Sequence, residues 1–227
     1  MQQHFNRRWR ATFVACACAA ASVLAGCGGS DDDDDGPGLS VPTLAEGAYR
    51  VSVGEGSDLR VGSYYASAQG ERLLLVQGDD GTLQQVLHQA AGAKAWKVVQ
   101  GSTPTEAIRF STEQTQPAVA VLPLSSSVGR YDVRSASGAR VTLAVDAQGQ
   151  LTTVASDQAG CAPQGQLATS TLPQALKVSW SQAACLGGAD RGEGLWLRDA
   201  DDAPALWRMF STDGSAPALD NWLFAAP

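Results

Sequence analysis

From Leu44 onward, apolar and polar residues alternate in short runs broken by clusters of Gly, Asp, Ser and Gln. The breaks recur about every 8 to 12 residues, the rhythm of strands joined by tight turns in a sandwich or barrel. In the first half the runs fall at 48–53, 59–66, 72–77, 83–89, 94–100, 107–110 and 118–122. In the second half they fall at 130–134, 140–146, 151–155, 166–169, 176–180, 194–198, 206–210 and 222–224. Asp80-Gly81 between two runs is a strong hairpin signal, and Ser137-Gly138, Gln148-Gly149 and Asp213-Gly214 mark further turns. Residues 82–95 also fit a helix, because Leu83, Val86, Leu87 and Ala90 fall at i, i+3, i+4 and i+7. Propensity does not choose between strand and helix there. The expected class is all-β, an antiparallel barrel or sandwich.

Two short matches divide this pattern. Gly47-Ala48-Tyr49 and Gly129-Arg130-Tyr131 each open a long β-rich segment, and Ser125-Ser126-Ser127 lies between the segments. This predicts two consecutive β units, 44–126 and 127–227. A single continuous barrel or sandwich of about fifteen strands is the alternative.

The N-terminus follows a different logic. Arg7-Arg8-Trp9-Arg10 precedes an apolar run from Ala11 to Leu24, followed by Ala25-Gly26-Cys27. A basic segment, an apolar stretch too short to span a bilayer and small residues before the cut are the parts of an export signal. Leu24-Ala25-Gly26-Cys27 resembles the lipobox of bacterial lipoproteins. That resemblance implies a leader over 1–26, removed in maturation, and a lipidated Cys27 (carrying diacylglycerol and a further acyl chain) as the mature N-terminus. More than one acyl chain gives stable anchoring without a transmembrane helix. Gly28 stands where an Asp would signal inner-membrane retention in enteric lipoproteins, so the resemblance implies the outer membrane. Residues 27–43 then form a lipidated tether. Its stretch Gly28 to Ser40 carries Asp31 to Asp35 and almost no apolar side chain, the composition of a disordered spacer reaching roughly 45 Å when extended. Acidic residues near the lipidated cysteine mark surface export in some bacterial lipoproteins, so periplasmic and surface placement both stay open.

Charge and cysteines sharpen the picture. The leader holds three arginines and no acids; of 16 basic side chains 13 remain against 23 acidic ones, a formal charge of −10. This balance argues against nucleic acid, which is bound through clustered Lys and Arg. It argues equally against docking on an anionic membrane by charge, leaving membrane contact to the N-terminal lipid. With Cys16 and Cys18 in the leader and Cys27 acylated, Cys161 and Cys185 remain and are expected to form a disulfide.

Candidate chemistry is sparse. After the leader, His88 is the single histidine, so multi-histidine metal sites are excluded and any Ser-His-Asp arrangement would have to use it. No Gly-x-Ser-x-Gly elbow or phosphate loop occurs. Asp199, Asp201 and Asp202 offer hard oxygens for calcium but lack EF-hand spacing, and they suit a solvated turn as well. Trp180, Trp196, Trp207 and Trp222 are the best material for a ligand site, either lining a barrel mouth against an apolar or sugar ligand or packing as core. In Leu195-Trp196-Leu197 the indole and the leucines fall on opposite faces. Ser135-Ala-Ser-Gly-Ala-Arg140 resembles a segment of periplasmic C-type lysozyme inhibitors, small disulfide-bonded β-barrel lipoproteins. Val141 stands where that family usually has an aromatic. The expectation is a non-catalytic, cofactor-free envelope lipoprotein that binds a ligand or an envelope partner; the alternatives are an accessory subunit of an envelope assembly and, behind it, a periplasmic lysozyme-type inhibitor or a hydrolase.

Overall fold

The computed structural model describes residues 39–116, 121–198 and 203–227. The leader, Cys27, the acidic tether, most of the run expected over 118–122 and the Asp199, Asp201, Asp202 cluster lie outside them.

The described chain is all-β and antiparallel. Six strands form one sheet: β1 (Gly47–Val53), β2 (Arg60–Ala66), β3 (Arg72–Gln77), β4 (Leu83–Gln89), β5 (Lys97–Gln100) and β6 (Phe110–Thr115). Their spatial order is β5-β4-β3-β2-β1-β6. A 3-10 turn at Leu124–Ser127 leads into eight more: β7 (Gly129–Arg134), β8 (Arg140–Val145), β9 (Gln150–Ser156), β10 (Gln164–Thr169), β11 (Ala175–Ser181), β12 (Gly192–Leu197), β13 (Trp207–Ser211) and β14 (Asp220–Ala225). These close into a barrel. Both units are meanders whose last strand returns to the first, β6 to β1 and β14 to β7. The smaller one stops short of closure between β5 and β6.

The repeated Gly-x-Tyr is the same corner built twice. Tyr131 Oη donates to the Ser127 carbonyl at 2.9 Å, and Tyr49 Oη donates to the Ala45 carbonyl at 3.2 Å, each four residues upstream. Each tyrosine folds back over the glycine two positions before it. A Cβ there would stand 3.4 Å from the Tyr49 ring or 3.3 Å from the Tyr131 hydroxyl. Backbone φ at the two glycines is +147° and +156°, a conformation that side chains rarely adopt. Tyr131 is buried and its counterpart more open, so Tyr131→Phe is expected to destabilise by about 1 kcal/mol and Tyr49→Phe by less. Urea midpoints check this; a larger loss at Tyr49 would contradict it.

Alternation fills three cores. Inward positions of the barrel supply Tyr131, Val133, Val141, Leu143, Leu167, Leu176, Val178, Trp180, Trp196, Trp207, Met209 and Leu223. One face of the six-stranded sheet buries Val51, Tyr64, Leu74, Val76 and Leu87, plugged by Val41 and Ile108. Tyr64 on β2 lies 6.1 Å from the Trp96 ring before β5 and 5.7 Å from the Phe110 ring of β6. Side chains stand roughly perpendicular to a sheet, so these contacts require it to curl around Tyr64. The sheet's other face joins Ala48, Tyr65, Leu73, Leu75, Leu83 and Val86 to Ala175, Leu195, Leu197 and Phe210 on the outside of the barrel. The two units therefore pack back to back.

The disulfide expected from the cysteine arithmetic is present: Cys161 pairs with Cys185 across a separation of 24 residues. Closing such a loop stabilises by roughly 3 kcal/mol on the chain-entropy model. It also fixes the rim where the Ala136 N–H donates to the Cys185 carbonyl at 2.8 Å.

Several expected elements differ. Residues 82–95 are not helical: 83–89 is β4, and a turn closed by Ala93 N–H to the Ala90 carbonyl delays β5 to Lys97. The run at 107–110 is mostly connection, because Ile108 turns inward as a plug and its N–H bonds Ser40 O. The strand follows it as the polar Phe110–Thr115, held by pairing with β1 rather than by its own alternation. Val121 and Leu122 are outside any strand.

Candidate functional site

The seam between sheet and barrel is apolar at its centre and polar at both ends. One polar end opens into a groove of about 580 Å³, within the size range of small-molecule sites.

On the sheet side the wall begins at Glu71. A tight turn fixes its backbone: Ser67 N–H bonds the Glu71 carbonyl at 2.9 Å, and Glu71 N–H bonds Ser67 Oγ at 3.0 Å. Alternation then places Glu71 on the same face as Leu73 and Leu75, toward the barrel. His88 on β4 shares that face with Val86, and its Nε2 lies 3.0 Å from Glu71 Oε1. The other carboxylate oxygen accepts a hydrogen bond from Thr171 Oγ1, in the loop between β10 and β11. Glu71 is 5% exposed and thus joins the two units by one side chain.

The barrel side follows from the same period of two. Leu176, Val178 and Trp180 fill the interior of β11, so Lys177 and Ser179 point outward into the groove. Glu193 and Leu195 of β12 stand beside them, with Thr212 and Asp213 after β13. Asp213 braces this end, its Oδ2 accepting Glu193 N–H at 2.8 Å and its Oδ1 accepting Ser215 N–H at 2.9 Å. Ala90 and Ala91, in the turn after β4, line the groove as well.

Burial alone would raise the Glu71 carboxyl. The hydrogen bonds from His88 and Thr171, with the charges of His88 and Lys177, outweigh it and hold the group below its ordinary value. Glu71 is therefore ionised at neutral pH, which makes His88 Nε2–H the donor. The carboxylate stands between imidazole and hydroxyl, whereas a nucleophilic triad places the imidazole in the middle. Asp213 is also held low, since the N–H groups of Ser215 and Glu193 outweigh its burial.

A depressed folded-state value means that Glu71 contributes stability above its unfolded value, lost as pH falls through the lower folded one. Glu71→Gln is thus expected to flatten the acid limb of the stability curve below about pH 4.5. Chemical denaturation across pH 3 to 7 reads this; parallel curves for the two proteins would refute it.

No protein-family model, no curated protein and no solved structure matches this chain.

The aromatics that the sequence offers for a ligand site lie elsewhere. Trp180, Trp196 and Trp207 are 4%, 0% and 3% exposed inside the barrel, where they form its core rather than its mouth. Trp222 is half-buried and stacks under the Arg208 guanidinium, 4.0 Å from its centroid. His88 lies on β4, in a stretch the sequence left open between strand and helix, and its carboxylate partner was not foreseen. Glu71, Thr171 and Lys177 carry no sequence motif, and Thr171 lies 100 residues from Glu71. The available signal was local: Glu71 and His88 continue the buried faces Leu73–Leu75 and Val86 with ionisable residues. Among the described residues no group of His, Cys, Asp and Glu is arranged to hold a metal ion.

Proposed function

We propose that this chain is an outer-membrane lipoprotein, anchored by lipid on Cys27, that binds a small ligand without transforming it. The binding place is the groove between the sheet and the barrel. One observation carries the reading: a groove of small-molecule size has walls from two units locked together by a buried, fully engaged carboxylate. Rigid, preformed walls lower the ordering cost of binding. The lipobox-like N-terminus and the acidic tether support placement on the envelope, with the body held clear of the membrane.

Native mass spectrometry of the lipoprotein, gently purified from its own envelope, tests this. The expected result is an added mass below about 1 kDa, the scale of a groove ligand. A stoichiometric protein partner instead would make the chain an accessory subunit of an envelope assembly. A bare monomer would remove the ligand reading.

A second reading has a specific observation behind it. Residues 136–138 of the segment that resembles C-type lysozyme inhibitors are exposed at a barrel hairpin and braced from three sides. Ser135 and Ser137 share a hydrogen bond of 2.9 Å, Ser137 donates to Gln158 at 2.9 Å, and Ala136 is tied to Cys185. A braced loop on a disulfide-bonded barrel suits insertion into a partner's cleft. Failure of the purified protein to slow a C-type lysozyme at micromolar excess would dispose of it.

A further inference from the structure

The groove is electrically divided along its length, and the division follows from strand register. Lys177 pairs with Leu195 across β11 and β12, while Ser179 pairs with Glu193. Lys177 and Glu193 are therefore diagonal neighbours on one outward face, about 7–8 Å apart. Two long side chains at that spacing are able to meet in an ion pair. They do not: among the described residues no hydrogen bond or close ion pair engages the Lys177 ammonium or the Glu193 carboxylate, the Lys177 charge acting on Glu71 only at longer range, and both residues are exposed in the groove wall.

Their surroundings separate the two ends further. Near Lys177 the Glu71 carboxylate is buried and already accepts from His88 and Thr171, so a ligand there meets the ammonium. At the other end Glu193 is joined by Asp213, which is tied to its backbone and keeps its charge, so a ligand meets two carboxylates. Ser179 lies between the ends on β11 with its hydroxyl facing outward.

We infer that the groove selects a zwitterion of short-peptide size, its carboxylate against Lys177 and its ammonium against Glu193 and Asp213. This rests on the groove being the ligand site. The span suits two or three residues, since extended chain covers roughly 3.3–3.6 Å per residue. Oppositely charged ends give the ligand one orientation, because the reversed one sets like charges together.

The test uses the detergent-solubilised full-length chain and backbone amide NMR. Four probes are titrated: trialanine, trialanine amide without the carboxylate, N-acetyl-trialanine without the ammonium, and triacetylchitotriose as a neutral control. Trialanine is expected to shift amides of β11 and β12 around Lys177 and Glu193, and each blocked peptide to bind at least about tenfold more weakly. Lys177→Met should bring trialanine down to the affinity of its amide while leaving the amide unchanged. Glu193→Gln should do the same relative to the acetylated peptide. Equal binding of the three peptides, or indifference to Lys177→Met, overturns the zwitterion. If the neutral sugar alone shifts these amides, the groove stands and the zwitterion falls. If no probe moves them, both fall.

Discussion

Replacing Arg208 with alanine is expected to destabilise the protein by about 3–5 kcal/mol, the loss typical when one partner of a buried ion pair is removed. The side chain is 1% exposed and engages Asp220 through both ends of its fork, Nε to Oδ1 and Nη2 to Oδ2, each at 2.7 Å. The same Nη2 donates to the Gly81 carbonyl at 3.1 Å, and Asp220 Oδ2 accepts the Leu83 N–H at 3.2 Å. Gly81 and Leu83 belong to the β3–β4 hairpin of the sheet, whereas Arg208 and Asp220 belong to the barrel. The pair thus closes the polar end of the seam opposite the groove, and alanine would leave Asp220 charged with no cation beside it. For a chain of this size each kcal/mol moves the melting temperature by roughly 2–4 °C, so the drop should be roughly 6–20 °C. Arg208→Met combined with Asp220→Leu should lose less than Arg208→Ala alone, because no stranded charge remains. Calorimetry of the three proteins decides the matter; a single-mutant loss below about 1 kcal/mol would mean that the pair does not hold the units together.

The staple and the groove share an origin, and it explains how much of each was legible in the sequence. Where the turn is unambiguous, the pattern drew the bounds: the runs 72–77 and 83–89 on either side of Asp80-Gly81 are those of β3 and β4, although 83–89 also fitted a helix until its pairing with β3 made it a strand. Legibility failed where pairing rather than composition makes the strand. Phe110–Thr115 is almost wholly exposed beyond its first residue and exists because β1 offers it a ladder. It was also incomplete where both faces are buried. Residues 194–197 of β12 all lie in the interior, with Trp196 in the barrel and Leu195 and Leu197 in the seam, so the split into aromatic and aliphatic faces did not mark one as free. The site was the least legible part. Glu71 with Thr171, and Arg208 with Gly81, join residues 100 and 127 apart, and no local period encodes such distances. What the sequence did show was an ionisable residue extending a buried strand face. That mark recurs at Glu71, His88 and Arg208, and in each case the face it extends is the one the other unit covers.

Trp196→Ala is expected to cost about 3–5 kcal/mol, the range for removing a large aromatic from a packed core. The indole is 0% exposed, 5.5 Å from the Tyr131 ring in an edge contact and 6.1 Å from the Trp207 ring. Truncation opens a cavity in the middle of a closed barrel, whose hydrogen-bonded wall has little freedom to collapse inward. Trp196→Phe keeps most of the apolar volume and should cost clearly less. The comparison separates the two roles that the sequence left open for this residue. A tryptophan lining a ligand mouth would be quenched by acrylamide and would tolerate alanine within about 1 kcal/mol, because its loss would leave space already shared with solvent. A core tryptophan is shielded from the quencher and carries the full loss. Tyr131 adds a second readout, since its ring packs on Trp196 while its hydroxyl anchors the corner that starts β7. The double change Trp196→Ala with Tyr131→Leu, which removes the ring contact from both sides, should therefore depart from additivity, as contacting residues do. Strict additivity would place the two in separate environments and remove the link between the barrel's aromatic core and the corner that begins it.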